Sequence, residues 1–267
     1  MYPTVSSMKS PYTVAISSFA VHGVASLKAF ISVLGERILP VPSLLLNGLT
    51  NLAQVRKFDP PFEELLTTTF DLVVSREIEV ILYIGYLGHA AQVDIILNVI
   101  EKYRANIKRI ITDPVCGDHG RLYVSKEIIE SWPQLIRKSN IVFPNLTELK
   151  LLTGHDGEDK QPVSIYISEF KSLFPETKLV VTSVENSKAE ARGSRIGVEY
   201  HGGHQFSYFH TKLSRSYSGS GDVFLAHYIL THYYSHFPIH EALKMAADIT
   251  YRIIEKSIGQ GSDDLLV

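Results

Sequence analysis

The sequence predicts an α/β fold in which a mostly parallel sheet carries helices on both faces. Short β-branched or apolar runs alternate with longer amphipathic stretches along most of the chain. With 267 residues, 45% of them hydrophobic and 20% charged, the composition suits one globular domain spanning residues 1–267. Strand–helix alternation in a chain of this size is typical of three-layer α/β/α architectures.

Six short runs predict the strands of the sheet. Each is rich in apolar or β-branched residues and is bounded by polar residues, Gly or Pro. The predicted strands are Tyr12–Ser17, Ile38–Ser43, Val80–Gly85, Arg109–Asp113, Asn140–Phe143 and Leu179–Ser183.

Segments with helical periodicity lie between these strands. Gly35 follows the first of them, at the point where a helix favours a left-handed C-terminal residue. The predicted helices are Ala25–Leu34, Pro61–Glu77, Ala90–Tyr103, Lys126–Lys138 and Val163–Leu173.

The pattern changes after the sixth strand. Ile196–Tyr200 and Gln205–His210 flank a His-Gly-Gly-His turn, which predicts an antiparallel hairpin on the edge of the sheet. Two helices, about Asp222–Ser235 and Ile239–Ser257, are predicted to follow it.

Composition and charge exclude several classes of protein. The 26 Lys and Arg residues and 28 Asp and Glu residues give a net charge of −2 without a long basic run, so we expect no nucleic-acid partner. The longest apolar runs, such as Val80–Ile84, are too short to span a membrane. Cys116 is the single cysteine, and the first residues lack the layout of a signal peptide. We therefore expect a cytoplasmic protein.

The sharpest local motif is Ser218-Gly219-Ser220-Gly221-Asp222, directly before an apolar helix. Glycines let the backbone approach a ligand closely, and a helix N-terminus favours an anion. The same helix terminus is expected to keep Asp222 ionised. The alternative is an ordinary turn in which Asp222 only caps the helix.

Two further motifs follow predicted strands. Asp113 and Asp118 lie five residues apart and could hold a divalent cation, although Asp-Pro and Gly-Asp are also common turn residues. Asn145 and Glu148 follow the next strand, where they could instead form a helix capping box. Since strand ends are where α/β sheets bind ligands, the three motifs together predict a site.

In this combination the sequence resembles the pyridoxal kinase branch of the ribokinase-like superfamily, the ATP-dependent kinases of vitamin B6 vitamers. The resemblance extends from about Val14 to Ser257. It is carried by Gly85–Gly88 on the substrate side, the Asp113–Val124 metal-and-phosphate loop, the Asn-x-x-Glu motif in Pro144–Glu148, and Gly219–Asp222, which is similar to the family's Gly-Thr-Gly-Asp anion hole.

The resemblance implies a ribokinase-like fold and a role for each matching residue in phosphoryl transfer. Asp222 would be the base that takes a proton from the 5′-hydroxymethyl group of the vitamer. The amides of Gly219, Ser220 and Gly221 would hold the γ-phosphoryl group. Mg²⁺ would be organised by Asp113, Asp118 and Glu148, and the nucleotide would lie near Asn145, Glu148, Thr182 and Ser183.

On the substrate side, the resemblance implies that Tyr86 and Thr50 line the pyridine pocket, with Ser18 as the serine that meets the ring. His89 follows this segment and is assigned to the pocket, with a solvent-facing position as the alternative. Leu49 and Asn51 replace the family's usual His and Gly beside Thr50. These departures concern the substrate and leave the phosphoryl-transfer residues untouched.

The expected activity is therefore ATP-dependent phosphorylation of pyridoxal, pyridoxamine or pyridoxine. The alternatives are a hydroxymethylpyrimidine kinase and a non-catalytic regulator that binds a vitamer or a nucleotide. The resemblance also implies a homodimer. Whether a monovalent cation is required beside Mg²⁺ is left open by the sequence.

Overall fold

The computed structural model describes residues 10–49, 52–186 and 194–267. Within them, nine strands form one sheet and two short strands form a separate ribbon. The sheet strands are β1 (Tyr12–Ala20), β2 (Ile38–Leu46), β3 (Lys57–Phe58), β4 (Val80–Ile84), β5 (Ile107–Thr112), β8 (Ile141–Val142), β9 (Lys178–Asn186), β10 (Arg195–His201) and β11 (Gln205–Thr211). The ribbon strands are β6 (Gly117–Asp118) and β7 (Arg121–Leu122).

The strand order is β11-β10-β9-β8-β5-β4-β1-β2-β3. From β9 to β2 every neighbouring pair is parallel, whereas β3, β10 and β11 pair antiparallel with their neighbours. The carboxyl ends of the parallel strands therefore share one edge. This arrangement confirms the predicted mostly parallel sheet with a hairpin at its edge.

Helices cover both faces of the sheet, as predicted. One core cluster joins the sheet to α2 through α6, and a second joins it to α1, α7 and α8. The helices are α1 (Leu27–Leu34), α2 (Phe62–Ser75), α3 (Gln92–Lys102), α4 (Lys126–Ile136), α5 (Leu146–Leu152), α6 (Val163–Leu173), α7 (Ser220–Ile229) and α8 (Ile239–Gly259). In the described ranges, no helix has the length and apolar character needed to cross a membrane.

The main departure from the predicted elements lies after β11. The apolar pattern predicted one helix over Asp222–Ser235, but the α-helix ends at Ile229 and a π-helical turn covers Leu230–Tyr234. The sequence pattern also missed β3, β6 and β7, since two-residue strands are too short to show a period.

An irregularity in β1 shapes the edge where the candidate site lies. Ser17 pairs with Pro42, whereas Ser18 pairs with Leu44, so the register to β2 shifts by one residue between the two serines. Such a bulge interrupts the alternation of side chains along a strand and is common beside active sites. Both serine hydroxyls are buried near the carboxyl end of β1.

Candidate active site

The predicted motifs converge at the carboxyl edge of the sheet. Asp113 directly follows β5, and Asn145 lies beside Thr182 of β9 in an isolated parallel bridge. Asp222 lies in the first turn of α7. Electrostatic interactions link Asp113 with both Glu148 and Asp222. The fold thus brings three motifs that are far apart in the chain to one place.

Asp222 is held from outside its own helix. Its Oδ2 accepts a hydrogen bond of 2.8 Å from the backbone amide of Ser26. The residue at the N-cap position is Gly219, with no side-chain capping bond, so the structure does not place Asp222 in the simple capping role. Burial raises the pKa of Asp222 to about 6, although the Ser26 amide lowers it. The effect of burial on this pKa is therefore larger than the opposite effect expected from the helix terminus. With a pKa of about 6, the carboxylate is still mostly ionised at neutral pH.

The glycines before α7 have different spatial requirements. Gly219 has φ of 88°, and a Cβ there would lie 2.2 Å from the Val24 carbonyl oxygen. Gly221 is exposed, with nothing within 4 Å of a Cβ position. The Ser220 amide donates to the Tyr217 carbonyl at 3.3 Å, whereas the Gly219 and Gly221 amides have no backbone acceptor in the described ranges. Two of the three predicted amides are therefore free to meet an anion.

Ser26 is a site residue that the sequence pattern did not reveal. It has φ of 50° and ψ of −133°, a conformation that non-glycine residues rarely adopt. Its hydroxyl accepts a 2.9 Å hydrogen bond from Ser18 Oγ. The backbone strain at Ser26 accompanies the contact of its amide with Asp222, as is common in functional sites. No local motif marks it, because Ser26 and Asp222 are 196 residues apart.

Asp113, Glu148 and Asp222 form a recessed acidic cluster. Burial, together with the charges of Glu148 and Asp222, raises the pKa of Asp113 well above its usual range. The hydroxyl of the fully buried Tyr83 donates to Asp113 Oδ2 at 3.4 Å. In the part of the chain that the structure describes, no Lys or Arg forms a salt bridge with the three acids. An uncompensated group of buried acids is favourable for a cation.

Glu148 forms the capping box that its spacing suggested. Its Oε2 accepts from the Asn145 amide at 2.8 Å, and Asn145 Oδ1 accepts from the Glu148 amide at 3.0 Å. Glu148 Oε1 also accepts from the Cys116 amide at 3.1 Å. Burial raises the pKa of Glu148 to about 8. The same side chain therefore fastens α5 to the Asp113–Asp118 loop and contributes to the acidic cluster.

The geometry favours a cation held largely through water or a phosphate. Asp118 lies on the β6–β7 ribbon, half-exposed, with its Oδ1 accepting from the His119 amide at 2.9 Å. Across the described residues, no group of three or more Asp, Glu, His or Cys side chains could by itself hold a metal ion. Mg²⁺ commonly keeps several waters and binds one or two carboxylates plus substrate phosphates. The residues present fit that mode of binding.

The predicted nucleotide residues differ in their surroundings. The Thr182 amide donates to the Pro144 carbonyl at 2.9 Å, which holds β9 against the start of α5. Asn145 Nδ2 donates to the Gly117 carbonyl at 2.8 Å and ties the ribbon to the same point. Ser183 is exposed, with φ of 56°. Their contacts with a nucleotide stay predictions.

On the substrate side, hydrogen bonds hold the loop after β4. Gln92 Oε1 accepts from the Gly88 and His89 amides, at 2.9 and 3.2 Å, while its Nε2 donates to the Ser43 carbonyl at 2.7 Å. The Ser43 hydroxyl donates to the Tyr86 carbonyl at 2.5 Å. The Tyr86 amide donates to Ser17 Oγ at 3.2 Å, so hydrogen bonds fix the backbone on both sides of Tyr86.

The other predicted substrate residues lie around this loop. His89 is at the surface, where its Nε2 contacts Asp59 Oδ1 at 2.7 Å, so the solvent-facing position is the one observed. Leu49 is buried in an apolar cluster against which Tyr86 packs. Thr50 and its neighbour Asn51 lie outside the described residues.

Comparison with known proteins decides the family. The model of the phosphomethylpyrimidine kinase family matches residues 45–267. The chain belongs to this family. Its curated relatives include pyridoxal kinases from Dictyostelium discoideum, 28% identical over 103 residues, and Arabidopsis thaliana, 25% identical over 191 residues. These alignments cover 38% and 67% of this chain but only 34% and 58% of the two relatives. The match confirms the kinase family that the motifs predicted.

Solved structures of pyridoxal kinases share the fold. Pyridoxal kinase from Lactobacillus plantarum superposes with a TM-score of 0.80 at 21% identity, covering 95% of this chain and 91% of that one. Pyridoxal kinase from Leishmania donovani, in complex with ADP and pyridoxamine, gives a TM-score of 0.77 at 20% identity, covering 94% and 88%. At these identities the likeness concerns the fold alone, and it confirms the predicted ribokinase-like architecture.

Proposed function

We propose that the protein transfers the γ-phosphoryl group of ATP to the 5′-hydroxymethyl group of a vitamin B6 vitamer. The observation that carries this proposal is the placement of Asp222. One of its oxygens is fixed by the Ser26 amide, and it lies beside the free amides of Gly219 and Gly221. A fixed base next to anion-binding amides is what transfer of a phosphoryl group to a hydroxyl requires.

In this reaction Asp222 accepts the hydroxyl proton while the hydroxyl oxygen attacks the γ-phosphorus. The Ser26 bond occupies Oδ2, which leaves Oδ1 for the substrate hydroxyl. Since the pKa of Asp222 is about 6, the carboxylate is ionised at neutral pH. Its pKa is also close to neutral pH, where a general base is most effective. The bond from the γ-phosphorus to the β,γ-bridging oxygen breaks, and ADP leaves.

The nucleotide would lie along the carboxyl edge, from α7 past Asn145 to Thr182 and Ser183. The Gly219 and Gly221 amides would hold the oxygens of the moving phosphoryl group. Asp113, Asp118 and Glu148 would hold Mg²⁺, in part through water, and the cation would neutralise charge on the phosphates.

Tyr86 would supply the aromatic wall of the vitamer pocket, supported by the Ser43 and Gln92 hydrogen bonds. Ser18 would meet the ring, and Thr50 would complete the pocket. The relatives named pyridoxal kinase and the complex of the Leishmania donovani enzyme with pyridoxamine support this substrate class. Hydroxymethylpyrimidine, another heteroaromatic carbinol, is the second candidate, because the matching family is named for phosphomethylpyrimidine.

The family resemblance alone supports a homodimer in the cytoplasm. Light scattering coupled to size-exclusion chromatography tests the assembly, and we expect the mass of two chains. A monomer at assay concentrations would contradict this part of the proposal.

The deciding experiment is an ADP-release assay with pyridoxal, pyridoxamine, pyridoxine and hydroxymethylpyrimidine as separate substrates. We expect turnover with at least one B6 vitamer and a loss of at least about 10²-fold in Asp222→Asn. Asp71→Asn removes an exposed carboxylate on α2 and serves as the control. Turnover only with hydroxymethylpyrimidine would select the second candidate. Vitamer binding without ADP release would instead indicate the non-catalytic regulator.

A further inference from the structure

A second cleft lies at the opposite edge of the sheet from the candidate active site. Its volume is about 360 Å³. It is formed at the amino ends of three neighbouring parallel strands, β5, β8 and β9, and is closed by the π-helical turn Leu230–Tyr234. Asp113 and Glu148 follow the carboxyl ends of β5 and β8, so this cleft is separate from the candidate active site.

The cleft has an excess of positive charge. Arg109 and Lys178 line it, and neither forms a salt bridge with a carboxylate in the described ranges. Glu176 is the acidic residue in its lining. Burial lowers the pKa of His232, and the charges of Lys178 and Arg109 lower it further, which shows that the three groups share one electrostatic environment. An anion would be attracted to Arg109 and Lys178 and would favour the protonated form of His232.

The floor of the cleft contains a buried hydroxyl without a hydrogen bond. Tyr228 is fully buried, and its hydroxyl has no hydrogen-bond partner among the described residues. Burial is the main cause that raises the pKa of Tyr228, and the nearby Tyr233 hydroxyl raises it further without meeting Tyr228 in hydrogen-bonding geometry. An unpaired buried polar group is unfavourable, and a bound ligand is one way to satisfy it.

The π-helical turn gives the cleft its aromatic wall. It places His232 and Tyr233 beside Tyr228, with the His232 ring stacked on Tyr228 at 5.4 Å and the Tyr233 ring edge-on to Tyr228 at 6.0 Å. His232 Nδ1 donates to the Phe237 carbonyl at 2.8 Å, so Nε2 is the ring nitrogen that would take up a proton and face a bound anion. Turns of π-helix are rare, and they are frequently found at functional sites.

We propose that this cleft binds a small phosphate monoester with a single aromatic ring. Arg109, Lys178 and His232 would contact the phosphate, which carries close to two negative charges at neutral pH. Tyr233 would lie against the ring. A volume of about 360 Å³ is near the lower end for ligand pockets and suits one ring rather than a dinucleotide. The inference does not depend on the proposed kinase activity.

Titration with phenyl phosphate tests the cleft directly, by calorimetry and by the imidazole ¹⁵N signals of His232. We expect the His232 signals to shift on binding. The Arg109→Gln/Lys178→Gln variant should lose at least about tenfold in affinity, since it removes both cations that would form charge-assisted hydrogen bonds with the phosphate. The control is Lys102→Gln/Lys244→Gln, which removes the same charge from exposed positions on α3 and α8. It should bind as the wild type does.

Three outcomes would overturn the proposal. Equal affinity in the cleft variant and the control would place binding elsewhere, as would saturation without a shift of the His232 signals. If inorganic phosphate bound as tightly as phenyl phosphate, the cleft would not recognise an aromatic ring, which would contradict the proposed ligand.

Tyr228→Phe provides a second test that does not depend on charge. Because it removes an unpaired buried hydroxyl, the free protein should be at least as stable as the wild type while binding phenyl phosphate several-fold more weakly. An unchanged affinity would show that the hydroxyl does not meet the ligand, and would contradict the proposal.

Discussion

The backbone amide of Ser26 donates to Asp222 Oδ2 over 2.8 Å, joining the segment after β1 to the first turn of α7. This bond fixes one oxygen of the proposed base and leaves the other free. The hydrogen bond from Ser18 to the Ser26 hydroxyl extends the connection to the substrate side. The base and the proposed vitamer pocket are thus linked through a single residue with an unusual backbone conformation.

The conformation of Ser26 predicts a difference between two small substitutions. Glycine adopts φ of 50° and ψ of −133° readily, whereas alanine does not. Both substitutions remove the hydroxyl and keep the amide that contacts Asp222. We expect Ser26→Gly to be more stable than Ser26→Ala by about 1 kcal/mol or more, from release of backbone strain. Urea denaturation of the two variants measures this, and equal stability would mean that Ser26 is unstrained.

The raised pKa of Asp222 predicts an acidic limit on catalysis. Below a pH of about 6 the carboxyl is protonated and cannot accept the substrate proton, so kcat/KM should fall as the pH is lowered through that value. The pH profile of the wild type between about pH 5 and 8 checks this. A profile that stays flat through this range would exclude Asp222 as the base.

The same shift predicts how stability depends on pH. A carboxyl whose folded pKa is about 6, against a usual 3.8, binds its proton more tightly in the folded state. Its ionisation therefore destabilises the fold progressively as the pH rises from about 4 to 6. Asp222→Asn removes this effect, so its stability relative to the wild type should be greater at pH 7 than at pH 4. Thermal unfolding at the two pH values measures the difference, and the opposite order would contradict the raised pKa.

Gly219 and Gly221 predict unequal responses to alanine. At Gly219 the new Cβ would lie 2.2 Å from the Val24 carbonyl oxygen, and φ is 88°. At Gly221 the new Cβ meets open space. We expect Gly219→Ala to lose several kcal/mol of stability or to misplace α7, while Gly221→Ala changes stability by less than about 1 kcal/mol. Thermal unfolding of the pair provides an internal control. Comparable losses in both variants would contradict this geometry.

Glu148→Gln should affect both the fold and the cation. A glutamine offers one carbonyl oxygen, so it cannot accept from both the Cys116 and Asn145 amides as Glu148 does. We expect a loss of about 1–3 kcal/mol in stability and a higher Mg²⁺ concentration for half-maximal turnover. Glu130→Gln, at an exposed position on α4, is the control. An unchanged Mg²⁺ titration would remove Glu148 from the cation site.

The sequence allowed the fold class and the positions of the main motifs to be predicted because both depend on local patterns. Strand and helix periods marked most elements, and the three-residue spacing of Asn145 and Glu148 indicated the capping box that is observed. The convergence of Asp113 and Glu148 followed from the rule that parallel strands share a carboxyl edge.

What could not be predicted depends on contacts between distant segments. Ser26 reaches Asp222 through the packing of α1 against α7, and no pattern near either residue indicates it. In the sequence, Tyr83 looks like an ordinary core residue of a buried strand. Only the structure shows that its hydroxyl lies beside Asp113. The apolar pattern of the helix after Ser218 also continues through the π-helical turn, so periodicity alone gave one uninterrupted helix.

The strand order has a consequence for the timing of folding. β1 lies in the interior of the sheet, between β2 and β4, yet the proposed base enters the site from a helix that begins at Ser220. A chain emerging from the ribosome can therefore pair its parallel strands well before it contains the group that completes the site. Because such long-range closures are slow steps, recovery of activity during refolding should trail recovery of helical circular dichroism.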